Sequence, residues 1–217
     1  MDAAGNVTTY DYDSYGQLRR VTDPKHFSTS LFYNKNGWLT SVTDHLGHTT
    51  SVSRDKVGQV VRQTNAKNQI TAYTYDPLGS ILTRTDALKG VTRMEYDGRG
   101  NVISVTDPMG RKQTLTYDER NKLHSQTNAA GETTTYDYDA KGNLIAVFMP
   151  NGNVQTIDYD ENDLPVLVSD NMGVIAQYTY DANGNVLTAT DGEGRTITYT
   201  YDGLNRMTSQ TLPSGST

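Results

Sequence analysis

The chain contains no cysteine, so it forms no disulfide and offers no thiolate to a metal. It has no apolar run near the roughly twenty residues that a membrane helix requires, and membrane insertion is not expected. No secretory leader is read in its first residues. It is also short of apolar side chains in general. With glycine counted and tyrosine left out, they make up about 37% of the chain, against roughly 45–50% in ordinary globular domains. A thick core is therefore not expected. A basic excess is missing too: 19 Lys and Arg stand against 25 Asp and Glu, a net charge of −6. Nucleic acid, which is held through basic patches on phosphates, is not an expected partner.

What the chain does have is a period. Every 21 residues it returns to a tyrosine followed by a turn, at Tyr12, Tyr33, Tyr75, Tyr96, Tyr117, Tyr138, Tyr159, Tyr180 and Tyr201, with Arg54 in the third place. A fixed period of this length marks stacked supersecondary units rather than one irregular globule. Regularly placed tyrosines and a modest charge imbalance also argue against disorder. A chain built this way has little room for a unique catalytic constellation.

Each repeat carries Asp-x-x-Gly twice, as in Asp181-Ala182-Asn183-Gly184 and Asp191-Gly192-Glu193-Gly194. Type I turns favour Asp or Asn first, Pro second and Gly fourth. Pro24, Pro77, Pro108, Pro150 and Pro213 all take the second place; only Pro165 does not. After the tyrosine, the fourth place is held by Gly16, Gly37, Gly58, Gly79, Gly100, Gly142 and Gly184. Where glycine is missing the substitutes are Asn121, Asp163 and Asn205, the types that best tolerate a left-handed backbone. This is the pattern of a three-residue hairpin loop with a bulge.

The segments between turns have strand length and are rich in Thr, Tyr, Val and Ile. No segment shows a helical period. The expected fold is all-β: a repetitive antiparallel meander of ten repeats with two strands each, forming a long curled strip. An odd period of 21 would throw successive tyrosines onto opposite faces. One extra residue per repeat, a β-bulge, restores the alignment, and the spacing of Leu18 and Val21 places it near Arg19-Arg20. A tyrosine, leucine and valine ladder then runs along one face, with Tyr12 opposite Leu18.

The pattern begins in mid-repeat at Met1-Asp2 and stops in mid-repeat at residues 214–217. The expectation is one array over residues 1–217, cut from a longer one, with Met1 an added start. Its edge strands would be open to self-association.

At this point the residues resemble a known family. Tyr138-Asp139-Ala140-Lys141-Gly142-Asn143-Leu144 and Thr106-Asp107-Pro108-Met109-Gly110, repeated in phase, are similar to the Rhs or YD repeats of Rhs polymorphic toxins, insecticidal toxin complexes, teneurins and wall-associated proteins. The resemblance implies a β-strip that spirals into a hollow shell around a C-terminal toxin domain, in a secreted or cell-surface bacterial protein. The implied partners are neighbouring repeats of the shell and the enclosed toxin. The match has departures: Arg54-Asp55 replaces Tyr-Asp, Asp163-Leu164-Pro165 replaces Gly-x-Leu, and Phe148-Met149 replaces Thr-Asp. The family's autoproteolytic junction has no counterpart.

Catalytic and metal chemistry finds little support. Asp137 to Gly142 and Asp158 to Asn162 resemble the start of a calcium loop, but Phe148 and Ser169 stand where the bidentate Glu belongs. His45 and His48 flank Gly47 without a third ligand. His26 and His124 stand alone. No catalytic residue, cofactor or metal is expected. The alternative to a structural wall is a surface adhesion module binding carbohydrate or a partner protein. The candidate contact residues are Trp38, the one tryptophan, and Arg54, the break in the tyrosine series.

Overall fold

The computed structural model of the chain describes residues 6–213. The two chain ends, Met1-Asp2 and residues 214–217, on which the mid-repeat start and stop rest, lie outside them. The described residues form twenty β-strands and no helix. They fall into two compact units, one ending at Lys112 and one starting at Gln113.

In the first unit the strands are β1 (Thr9–Tyr12), β2 (Leu18–Thr22), β3 (Ser28–Tyr33), β4 (Leu39–Thr43), β5 (Thr49–Arg54), β6 (Val60–Thr64), β7 (Ile70–Tyr75), β8 (Ile81–Thr85), β9 (Val91–Tyr96) and β10 (Val102–Thr106). Each pairs antiparallel with the next. In the second unit β11 (Lys112–Tyr117), β12 (Leu123–Thr127), β13 (Thr133–Tyr138), β14 (Leu144–Phe148), β15 (Val154–Tyr159), β16 (Pro165–Asp170), β17 (Gly173–Tyr180), β18 (Val186–Asp191), β19 (Thr196–Tyr201) and β20 (Met207–Thr211) do the same. Among the described residues no pairing closes either meander on itself.

The odd period is absorbed by a bulge in every tyrosine hairpin. In the first, Asp11 pairs with Arg20 and Tyr12 with Leu18, so Arg19 is the extra residue. The same slip recurs at Tyr33 and Leu39, Tyr75 and Ile81, Tyr138 and Leu144, and Tyr180 and Val186. The slot skipped in the sixth repeat is His124, since Thr116 pairs with Ser125 and Tyr117 with Leu123. Two residues facing one on the partner strand shift the alternation by one step. The tyrosine, Leu and Val positions therefore share a face in successive repeats.

The sheet is one layer thick. Among the described residues only Ala146 and Ser104 are buried. Low apolar content has this as its structural counterpart: each hairpin gains stability from its neighbours in the ladder rather than from a central core, the energetics of a repeat array.

Candidate functional site

The turns come first, because they position everything else. In the ninth repeat the N–H of Gly184 donates to the Asp181 carbonyl at 3.1 Å, and the N–H of Asp181 donates to the Asn185 carbonyl at 2.9 Å. The Asp181 carboxylate closes the loop from outside: Oδ1 accepts the N–H groups of Asn183 and Asn185, both at 2.9 Å. This double acceptance recurs at Asp13, Asp23, Asp44, Asp76, Asp107 and Asp202, among others. An ionised carboxylate fits because it is acceptor-only. Turn geometry thus explains the aspartates that resemble calcium ligands: Asp139 Oδ1 holds the N–H groups of Gly142 and Asn143.

These bonds lower the carboxyl pKa values. Asp76 lies below its ordinary value first through the Ser80 N–H, and Asp139 first through the Asn143 N–H. Asp191 and Asp202 are lowered first by the side chains of Arg195 and Arg206.

The fourth turn position is left-handed at Gly16, Gly37, Gly58, Gly79, Gly100, Gly142 and Gly184, with φ between 79° and 97°. Asn121, Asp163 and Asn205 adopt the same region, at 68°, 64° and 61°. The second turn of the repeat is less selective, since His26 and Lys89 take it with φ of 65° and 71°. His26 is therefore an exposed turn residue.

The residue after the left-handed position reaches over to the next repeat's turn. Gln17 Nε2 donates to the Gly37 carbonyl at 2.9 Å. Trp38 holds the equivalent place, and its ring lies against Gly58, where an added Cβ would come within 3.2 Å of Cζ2. Where the next turn carries Asp or Asn instead of Gly, the reaching residue is asparagine. Asn143 Nδ2 donates to Asp163 Oδ1 and Asn185 Nδ2 to Asn205 Oδ1, both at 2.9 Å. Lys141 adds an ion pair to Asp163 at 2.8 Å.

The tyrosines form the second array. The Tyr33 hydroxyl donates to the Leu18 carbonyl at 3.0 Å, fifteen residues back. Tyr75 reaches Val60 at 2.6 Å, Tyr96 reaches Ile81 at 2.9 Å and Tyr138 reaches Leu123 at 3.0 Å. Tyr159 reaches Leu144 at 2.9 Å and Tyr180 reaches Pro165 at 2.7 Å. Each accepting carbonyl belongs to the residue opposite the previous repeat's tyrosine position, which Arg54 fills in the case of Val60. The β2–β3 pairing ends at Arg20 and Ser30, so the Leu18 carbonyl lies past the last register pair. The phenol supplies a donor where the ladder has stopped. Burial, ahead of nearby charge, raises the pKa of Tyr75, Tyr138, Tyr159 and Tyr180. Tyr12 belongs to the edge strand β1, and Tyr117 and Tyr201 close β11 and β19.

Arg54 does not continue the series. Its Nη1 donates to Gly58 in its own turn at 3.0 Å. It lines an open depression of about 470 Å³ together with Thr40, Ser41, Ser51 and Ser53. The two contact candidates thus sit in different settings, with Trp38 against a turn and Arg54 at a hollow. The histidines are not brought together: His45 stacks on Phe27 with ring centroids 4.2 Å apart, and His48 Nδ1 meets Asp44 Oδ2 at 3.0 Å.

A third array escaped the reading of the sequence. The face opposite the tyrosines carries paired hydroxyls: Thr22 with Ser28, Thr43 with Thr49, Thr127 with Thr133, and Thr190 with Thr196, at 2.8–2.9 Å. The signal was present, as a Thr ten residues after the tyrosine and a Thr or Ser six residues further on. It is legible only once the bulge has fixed which residues share a face.

The geometry agrees with the comparisons. The model of the RHS Repeat family matches residues 1–27, 54–91, 96–123, 117–154, 159–196 and 180–217, most of the chain. The chain belongs to the RHS repeat family. Its fold is similar to the crystal structure of TcdB2-TccC3, with a TM-score of 0.64 and 18% identity over 96% of this chain and 16% of that one. It is similar also to TcdB2-TccC3-Cdc42, with a TM-score of 0.64 and 17% identity over 97% of this chain and 15% of that one. For the Photorhabdus luminescens Tc holotoxin pore the values are 0.59 and 20%, over 94% and 13%. The chain thus spans about 15% of the length of these proteins. At such identities the likeness shows the fold alone. No curated protein matches the sequence.

Proposed function

We propose that the chain is a non-catalytic wall segment of a larger Rhs-type shell. In this reading the ten repeats are one array, part of a longer strip in an exported bacterial protein, and the strip encloses a C-terminal toxin domain. The observation that carries the proposal is the side-chain ladder. Six of the repeat tyrosines, Tyr33, Tyr75, Tyr96, Tyr138, Tyr159 and Tyr180, donate their hydroxyl to a backbone carbonyl of the preceding hairpin, and the turn aspartates are engaged by their own loops. The repeated residues are those that hold neighbouring hairpins together, which suits a wall. Likeness to toxin-complex structures and the small share of them that the chain spans support the same reading. The neighbouring repeats of the parent and the enclosed toxin are then the partners. In isolation, the edge strands β1 and β20 offer unpaired backbone groups for self-association.

The first experiment is to sequence the reading frame on both sides of this segment. Further 21-residue repeats followed by an unrelated C-terminal domain are expected, and that domain in the purified parent resists protease until the shell is unfolded. A frame that ends in a wall or membrane anchor without a cargo domain overturns the proposal.

A further inference from the structure

In the second unit an apolar stretch interrupts the hydroxyl pairs on the face opposite the tyrosines. Where one repeat sets Thr127 against Thr133, the next sets Phe148 against Val154, which have no hydroxyl to exchange. Register pairs place their surroundings on the same face: Asp137 with Ala146, Ala146 with Thr156, Thr156 with Ser169, and Ser169 with Val174. Alternation along β16 adds Leu167, which pairs with Asp158. Phe148 is 38% exposed and Val174 44%, while Val154 and Leu167 are half-buried. Met172, in the turn of the β16–β17 hairpin that carries Val174, is almost fully exposed.

The charge around this stretch has one sign. Asp137 and Asp158 are exposed on the same face, and neither side chain makes a hydrogen bond or ion pair among the described residues. From residue 123 to residue 194 the chain holds 11 Asp and Glu against one Lys or Arg, Lys141. That lysine is committed to Asp163 at 2.8 Å. The first unit is the reverse, with 14 Lys and Arg against 11 Asp and Glu over residues 1–112. The acidic excess of the chain therefore belongs entirely to the second unit.

We infer that this face of β13 to β17 docks a basic amphipathic helix of a partner protein. Exposed apolar side chains grouped within a polar surround mark an interaction site. A helix with one apolar stripe buries that stripe by lying flat on such a sheet face. From Asp137 on β13 to Val174 on β17 there are four strand spacings, roughly 19 Å in all. A helix of about thirteen residues covers that length at its rise of about 1.5 Å per residue. Its apolar stripe covers Phe148, Val154, Leu167 and Val174, and lysine or arginine beside the stripe meets Asp137 and Asp158. An acidic partner is refused, because like charges brought together across an interface cost free energy. The site goes beyond a wall role and does not depend on it.

The test is fluorescence anisotropy of a labelled synthetic peptide titrated with the full chain. The peptide has about fourteen residues, leucine and lysine only, with the leucines at helical spacing. A scrambled peptide of the same composition and a patterned one with glutamate in place of lysine are the comparison probes. The patterned leucine and lysine peptide is expected to bind at least tenfold more tightly than either. Phe148→Thr, which installs the residue type found at Thr127 one repeat earlier, lowers affinity tenfold or more. Asp137→Asn combined with Asp158→Asn does the same. Leu82→Thr, at an exposed apolar strand position of the first unit, leaves affinity unchanged. Circular dichroism of each variant shows that the strands persist; if Phe148→Thr unfolds, Val174→Thr and the double carboxylate variant decide. Absence of binding by the patterned peptide overturns the inference, as does unchanged affinity in the double carboxylate variant. Equal binding of the scrambled peptide also overturns it, since the chain then captures charge and not a helix face. Sedimentation of the chain alone covers a second copy as occupant: a dimer that Phe148→Thr converts to monomer overturns the inference.

Discussion

Repeats three and four differ at the position that defines the family. In repeat four Tyr75 donates to the Val60 carbonyl at 2.6 Å, while in repeat three Arg54 turns back to Gly58. Their turns are nevertheless the same. Asp55 Oδ1 accepts from Val57 and Gln59, and Asp76 Oδ1 from Leu78 and Ser80, all at 2.9 Å. The bulge is also the same, with Arg54 opposite Val60 and Tyr75 opposite Ile81. Hairpin formation is therefore local and survives loss of the tyrosine. The tyrosine's separate task is to tie one hairpin to the previous one.

This separation can be broken from either side, and the largest expected effect is with pH. The turn carboxylates of Asp76, Asp139, Asp191 and Asp202 have folded pKa values below the ordinary 3.8. Their contribution is complete above about 3.8 and is lost as pH falls through the lower folded values. The phenols of Tyr75, Tyr138, Tyr159 and Tyr180 are raised above 10.0. Their contribution is complete below 10.0 and is lost as pH rises through the higher folded values. Thermal melting followed by circular dichroism is expected to fall at both limits, the turns failing in acid and the ladder in alkali. An unchanged midpoint from pH 3.8 down to 2 removes the turn half of the argument.

Next in size is Tyr138→Ala, which removes the bond to Leu123 and the contact with the Lys122 ammonium, 5.7 Å from the ring centre. A loss of about 2 kcal/mol is expected in urea titration, and Tyr138→Phe recovers about half of it because the hydrogen bond alone is worth about 1 kcal/mol. Gly142→Ala places a Cβ at φ 97°, and a cost of about 1 kcal/mol or more is expected from the left-handed backbone. In the opposite direction, Arg54→Tyr should raise the unfolding free energy measured in urea by up to about 1 kcal/mol, by restoring a donor to the interrupted series.

The smallest effect is the most selective. Asn205→Gly relieves a left-handed asparagine but removes the acceptor of both Asn183 and Asn185, at 3.1 and 2.9 Å. These nearly cancel, and a change within about 0.5 kcal/mol is expected for an exposed site. In the double variant with Asn185→Gln the two substitutions should not add, since they share one contact.

Much of this was legible in advance. The aspartates and the residues at positive φ announce the turns because the preference acts within four residues. The bulge was legible for a related reason, since an odd period cannot otherwise keep Leu18, Val21 and Tyr33 on one face. The destination of the tyrosine hydroxyl was not. A ladder of tyrosines reads as packing, and nothing in the string of residues says that a carbonyl fifteen positions earlier lies past the end of its register. Nor was it visible that the asparagines at 143 and 185 answer Asp163 and Asn205 one repeat later.

What the sequence by itself determined is the local and the periodic: twenty strands, their turns, their faces and the family to which they belong. These follow from backbone sterics and side-chain alternation, which act over a few residues and then repeat. What only the tertiary structure decided is which side chains remain uncommitted. Thr74 and Thr83 satisfy each other across a strand pair, while the side chains of Asp11, Phe32 and Arg62 stand in the same column with no hydrogen bond or ion pair among the described residues. That distinction depends on distances between strands, and no reading along one chain supplies them.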